Sequence, residues 1–216
     1  MQSDDLDTLI QSRRSIRKYK KEVPPAALIM EMVSAASFAP SPSNSQPVRF
    51  FNLTRASTKE RLYQAMEKGR DELIARIEAR GISSRESRRK KNIIAYYWRY
   101  SAFMFNAPVI LAVGTRFPTE SFSTRLNEGG MDPSSHNEDR DSAITLGLAL
   151  KGFLLKAQAL GLGTCILTAP LHFISHVNKI LGIENVRVHC FTTVGFPDES
   201  PRGVGRKNIE EIYKEI

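Results

Sequence analysis

The chain has 216 residues, enough for one large domain or two small ones around a substantial core. Hydrophobic residues make up 41% and charged residues 25%, an ordinary globular composition, and no apolar run approaches the ~20 residues that span a bilayer. Lysine and arginine total 31 against 23 aspartates and glutamates. The resulting net charge of +8 favours an anionic partner: a nucleic acid, a phosphorylated cofactor or an acidic surface.

The opening residues Met1-Gln2-Ser3-Asp4-Asp5 lack the basic start and apolar centre of a secretory signal, so a cytoplasmic protein with no membrane attachment is expected. Cys165 and Cys190 belong to no CxxC pair and sit in apolar, strand-like segments, where they read as small buried hydrophobes.

Residues 4–14 read as a short helix with acidic residues at its start, which suits the helix dipole. Pro24-Pro25 opens a second helix whose apolar positions Leu28, Ile29, Met32, Val33 and Ala36 recur at helical spacing, and Pro40 and Pro42 end it. "APSPSNSQP", residues 39–47, is a loop by composition, and the aromatic, β-branched 48–54 is a strand. Ser57-x-x-Glu60 has the form of a capping box, Gly81 breaks the helix that follows, and Ser83-x-x-Glu86 starts another that carries Arg88-Arg89-Lys90-Lys91 and runs to about Phe105. Residues 107–115 form a buried strand.

Residues 116–138, rich in Pro, Gly, Ser, Thr and Asn, form a loop long enough to act as a lid. A helix over 139–160 ends at Gly161 and Gly163. A strand at 164–168, a helix at 171–181, a strand at 186–195 and a tail that ends in a short helix complete the chain. Helices outweigh strands, and no repeat or composition break marks a second domain. The pattern predicts one α+β or α/β domain, with a small central sheet packed by helices.

The usual side-chain catalysts are missing. There is no HExxH, GxSxG or GxxxxGK, and His172 and His176, four apart on an expected helix, have no third ligand nearby, so no metal is expected. Gly161-Leu-Gly163 and Gly203-Val-Gly205 each lack the third glycine of a dinucleotide fingerprint. Abundant anion-binding cations without catalysts suit a protein whose bound cofactor carries the chemistry.

"RRSIRKY", residues 13–19, supplies such cations. An extended Ser15-Ile16-Arg17-Lys18 places Ser15 and Arg17 on one face and Ile16 and Lys18 on the other. Guanidiniums on that face could converge on a phosphate, which they contact in bidentate fashion.

Four stretches together resemble the nitroreductase family of flavin enzymes. They are "RRSIRKY", "FAPSPSNSQPVRF" (38–50), "ALGLGTCILTAP" (159–170) and the tail "GFPDESPRGVGRKNIEEI", in family order over nearly the whole chain. The resemblance implies an α+β, nitroreductase-like fold: a small, mostly antiparallel sheet surrounded by helices, an interlocked homodimer, and FMN at the subunit interface. The chain is then one domain with a helical insertion at about 57–107 and the 116–138 loop as lid.

Carried over residue by residue, Arg13 and Arg206 bind the FMN phosphate. Arg14 contributes through its backbone or at the cofactor's outer edge, and Ser15 contacts the phosphate or ribityl chain. Arg17 lies near the N1/O2 edge of the ring. Pro40, Ser41, Asn44 and Gln46 come from the other subunit or line the same pocket, and Leu167, Thr168 and Ala169 pass beside the ring. Val48 stands where many members have Trp, and Thr168-Ala169-Pro170 replaces residues often Gly-rich or acidic.

The implied activity is an FMN-dependent oxidoreductase. It passes electrons from NADH or NADPH to a small-molecule acceptor, such as a nitroaromatic or quinone, by a ping-pong mechanism with no catalytic side chain. A reductive dehalogenase-like or flavin-cleaving relative is the alternative. A nucleic-acid-binding protein is the remote one, because the Arg85–Lys91 cluster has no interleaved aromatics and no accompanying motif. No nucleic-acid partner is expected.

Overall fold

The computed structural model describes residues 3–117 and 136–216. Most of the loop expected to form a lid lies outside the described residues. In chain order the elements are α1 (Ser3–Ser12), α2 (Ala26–Ser37), β1 (Val48–Asn52), α3 (Ala56–Glu78), α4 (Ser84–Ala102), β2 (Val109–Arg116), α5 (His136–Ala159) and β3 (Gly163–Leu167). Two short helices, α6 (Pro170–Phe173) and α7 (Val177–Leu181), lead to β4 (Val186–Gly195) and the single turn α8 (Ile209–Ile212).

The four strands pair in the order β1-β2-β4-β3, every neighbour antiparallel, so the fold is α+β. β2 is the organising strand, and Val109 through Thr115 are all buried. A strand's side chains alternate between faces. Val109, Leu111 and Val113 join Ile29 and Met32 of α2 and Leu146, Leu150 and Phe153 of α5 in one core. Ile110 and Ala112 face the other way, onto Leu62 and Met66 of α3, Met104 and Phe173. Helices therefore cover both faces. In β4 the register shifts opposite Val113/Gly114, so Val188 and Cys190 fall into different cores although they are two residues apart.

Ser83 caps α4 as its sequence suggests, accepting from the Glu86 N–H at 3.3 Å. Ser57 does not cap α3. That helix starts at Ala56 with Arg55 as N-cap, because Leu53 is pinned to β2 through the Ile110 carbonyl and the chain must turn at once. The helix expected over 171–181 is also broken. Phe173 and Ile174 both drop into the core beneath α3, Ile174 is extended, and His176 takes a left-handed conformation before α7. His172 and His176 thus do not share a helix face, and no metal-binding cluster exists among the described residues.

Both cysteines are free and buried. Burial pushes the Cys190 thiol from its ordinary value near 9 up to about 11, so the fold favours the neutral thiol. A raised pKa gives stability that is complete below the unfolded value and lost as pH climbs through the folded one. The conformational stability is therefore expected to fall by roughly 2–3 kcal/mol between pH 9 and pH 11 on this account. Thermal melts across that window check it. Cys190→Ala should start from a lower midpoint and show a shallower alkaline decline; an unchanged decline contradicts the assignment.

Candidate functional site

The segment after α1 is held as a fifth-strand-like strap at the edge of β3 without joining the sheet proper. Ser15 forms a parallel bridge with Thr164, and the Ile16 N–H donates to the Thr164 carbonyl at 2.9 Å. Further on, Tyr19 bridges Pro197 and the Lys20 N–H donates to the Phe196 carbonyl. This extended backbone enforces alternation. Ile16 is buried against Gly163, where an added Cβ would come within 2.8 Å of the Ile16 side chain. Gly163 is thus the second glycine of "LGLG" because the strap lies directly on it.

Arg13, Ser15 and Arg17 gather on the other side, around Cys165 of β3. The Cys165 thiol donates weakly to the Ile166 carbonyl at 3.7 Å, and the Ser15 hydroxyl and both guanidiniums lie close enough to act on it. Burial pushes that thiol up, and Arg17, Ser15 and Arg13 pull against the burial. Two cations and a hydroxyl thus share one edge, with no carboxylate bonded to either guanidinium among the described residues. The arrangement fits a phosphate and the polyol chain attached to it.

Arg14 takes the opposite side. Its guanidinium donates to the carbonyls of Gln11 and Arg13 and lies against Gly203 of the C-terminal tail. There it lines a cleft of about 400 Å³ with Ser12, Gln158, Glu199 and Pro201. Arg206 is exposed on the tail and forms no hydrogen bond or ion pair among the described residues.

The "APSPSNSQP" loop is held in a costly conformation. Ser43, Asn44 and Gln46 all have positive φ, at 51°, 53° and 42°, a region non-glycine residues rarely enter. The Ser41 hydroxyl holds the loop by accepting from the Gln46 N–H at 3.0 Å. Arg49 donates to the Gln46 carbonyl at 2.8 Å. The Asn44 and Gln46 side chains are exposed and bond to each other at 3.1 Å, and Pro40 is exposed. Within one chain, no described hydrogen bond or ion pair joins this loop to Arg13, Ser15 or Arg17. Leu167 ends β3 in the core, Thr168 is exposed just beyond it, and Ala169 is the N-cap of α6.

Three further residues were not singled out by sequence. The Glu199 carboxylate accepts from the N–H groups of both Arg17 and Lys18, tying the tail to the strap. Tyr19 donates to the Ile16 carbonyl and shares a 2.7 Å hydrogen bond with Thr193, and burial pushes its phenol up. Tyr100 of α4 lies beneath Arg17, whose guanidinium carbon is 5.7 Å from the ring centroid. Glu199 lies inside the family-like tail, but only the three-dimensional path shows which backbone it clamps. Glu199→Ala is expected to cost about 1 kcal/mol of stability and to loosen cofactor retention several-fold. Denaturant titration and cofactor titration read these two effects separately.

The family model "Nitroreductase family" matches residues 10–196. YfhC of Bacillus subtilis, to which NAD(P)H nitroreductase activity is assigned by name, is 25% identical over 98% of this chain and 94% of its own. An iodotyrosine deiodinase of Thermotoga neapolitana is 26% identical over 95% of each chain. The crystal structure of a BluB-like flavoprotein from Clostridium difficile superposes with a TM-score of 0.82 at 25% identity, covering 98% of both chains.

Proposed function

The chain belongs to the nitroreductase family, and from that premise we propose that it is an FMN-dependent oxidoreductase that takes electrons from NAD(P)H. The observation that carries this is the strap. Arg13, Ser15 and Arg17 are aligned on one edge by the bridge to Thr164, next to the β3 segment that ends in Thr168 and Ala169. Bound FMN would supply the electron relay between a reduced nicotinamide and an acceptor. The protein's residues do the rest. Arg13 and Ser15 hold the phosphate and ribityl end, with Arg206 closing over the phosphate from the tail. Arg17 sets positive charge at the N1/O2 edge, where it favours the reduced state. Leu167, Thr168 and Ala169 flank the ring, and Arg14 supports the outer edge through its backbone.

Pro40, Ser41, Asn44 and Gln46 complete the pocket from the second subunit of a homodimer. Two features support this. The Asn44 and Gln46 side chains of the strained loop are exposed and, among the described residues, bond only to each other. Beside it, Phe38 is 86% exposed, and Met30, Ile144 and Leu148 on α2 and α5 are also exposed. Large apolar side chains left exposed in this way suit an interface. Donor and acceptor occupy the same stacking place in turn, which makes the kinetics ping-pong. No side-chain acid or base is required. Nitroaromatics and quinones are the acceptors this arrangement suits.

A steady-state screen of such acceptors with NADH and NADPH, on FMN-loaded protein, tests the proposal. Parallel double-reciprocal lines with at least one acceptor are expected. The deiodinase likeness over 95% of the chain supports a second reading, reductive removal of halide from a halogenated phenol. Halide release from iodotyrosine, with negligible nitroaromatic turnover, would favour that reading instead.

A further inference from the structure

The outward face of α4 does not look like the outside of a packed helix. Its inward face is conventional. Trp98 meets Phe173 edge-on, Arg70 of α3 lies 4.3 Å over the Trp98 ring, and Ser101 is fully buried. On the other face Arg85, Arg88, Arg89, Asn92, Tyr96 and Tyr97 line an open groove of about 620 Å³. The spacing of three and four residues puts them on one side of the helix. Tyr96 is 59% exposed and Tyr97 49%, so the groove sets aromatic rings in water beside guanidiniums.

The cations of this helix divide into two sets. Lys90 pairs with Glu86 at 2.7 Å, and Lys91 pairs with Glu78. Arg85, Arg88 and Arg89 form no ion pair among the described residues, although Arg89 acts on Glu86 from a distance. The lysines thus serve the helix, and the three arginines remain available to a ligand.

The groove continues toward the strap. Tyr100 packs on Tyr96 with ring centroids 4.6 Å apart and carries the Arg17 guanidinium on its face. From Tyr100 back to Arg89 the helix rises by ~16 Å. An aromatic track therefore leads from the proposed ring edge of the flavin to an unpaired arginine cluster.

We propose that this groove receives the adenosine 2′-phosphate end of NADPH, so that α4 selects NADPH over NADH. The inference rests on NAD(P)H being the electron donor. A phosphate dianion suits a cluster of planar guanidiniums, which bind it by paired hydrogen bonds, and an adenine ring suits the faces of exposed tyrosines. NADH presents a neutral hydroxyl at that position and leaves the arginines unpaired. A second copy docking this face on itself would set arginine against arginine, which disfavours a symmetric protein contact there.

The test titrates FMN-loaded protein with 2′,5′-ADP and with 5′-AMP by calorimetry, and measures kcat/KM for NADPH and NADH. The wild type and Arg88→Ala/Arg89→Ala are compared. The wild type should bind 2′,5′-ADP more tightly than 5′-AMP and prefer NADPH. In the double variant both preferences should fall about tenfold or more, through KM rather than kcat, with FMN content and circular dichroism unchanged. Arg88→Lys/Arg89→Lys should recover part of the preference. If NADPH reduces the enzyme but the NADPH/NADH ratio is the same in both proteins, the inference is wrong and the donor assignment stands. If the variant instead loses both donors equally and dissociates into monomers, the face belongs to a partner subunit and the inference is overturned. If neither nicotinamide reduces the wild type, the donor assignment itself fails and takes the inference with it.

Discussion

Arg13→Ala combined with Arg206→Ala is expected to yield a folded protein that no longer retains FMN through purification. Arg13 sits on the edge of the strap that also presents Ser15 and Arg17, and Arg206 is an exposed cation on the tail. A charge-assisted hydrogen bond to an anion contributes about 1.5–3 kcal/mol, and two bidentate contacts to one phosphate act together. Losing both should weaken FMN binding by roughly 100-fold to 10,000-fold. Neither side chain is buried, so the fold should survive, and circular dichroism should overlay that of the wild type. Lys18→Ala is the matched control. It removes a cation from the same run, but Lys18 is exposed, alternates to the face opposite Arg17 and serves the site only through its backbone N–H to Glu199. Flavin retention unchanged in the double variant, or lost equally in the control, would remove the assigned roles.

Gly69→Ala should be among the most damaging single substitutions away from the site. Helix propensity alone argues the reverse, because Gly in a helix interior costs about 1 kcal/mol relative to Ala. Packing overrules it. α3 approaches α6 so closely that a Cβ on Gly69 would stand 1.8 Å from the Phe173 carbonyl oxygen and 2.7 Å from its carbon. The obstacle is backbone, so no rotamer change relieves it and the two helices must part. Leu62 and Met66 of α3, both fully buried, would then lose contacts in the core they share with Phe173. A loss of about 3 kcal/mol or more is expected, read from denaturant midpoints. The displacement also reaches function. α6 begins at Pro170, directly after Thr168 and Ala169, so the variant should hold FMN less tightly even where it remains folded. A stability equal to or above that of the wild type would show that α3 and α6 can separate freely.

Much of this was legible in the chain. The β-branched and aromatic runs marked all four strands, and 186–195 matches β4 residue for residue. Alternation in "SIRK" separates Ile16 from Ser15 and Arg17, because an extended backbone leaves no other choice. The misses have physical causes. Ser57 has the right spacing for a cap, but Leu53 is anchored to β2 and starts α3 earlier. The 171–181 stretch has helical periodicity, but Phe173 and Ile174 are both drawn into the core and His176 pays for it with a left-handed backbone. The polarity of "APSPSNSQP" marked a loop, yet nothing in it announced three non-glycine residues at positive φ. Glu199 and Tyr100 were invisible because their partners lie 182 and 83 positions away in sequence, and only folding brings Arg17 between them.

The central claim is that this strap and loop bind FMN as a working redox centre, and absorbance tests it most directly. Protein purified or reconstituted with FMN should be yellow, with flavin stoichiometric to the chain. Its visible band should bleach under NADPH or NADH without oxygen and return on adding a nitroaromatic or quinone. Protein that is colourless as purified and takes up no added FMN would contradict the account.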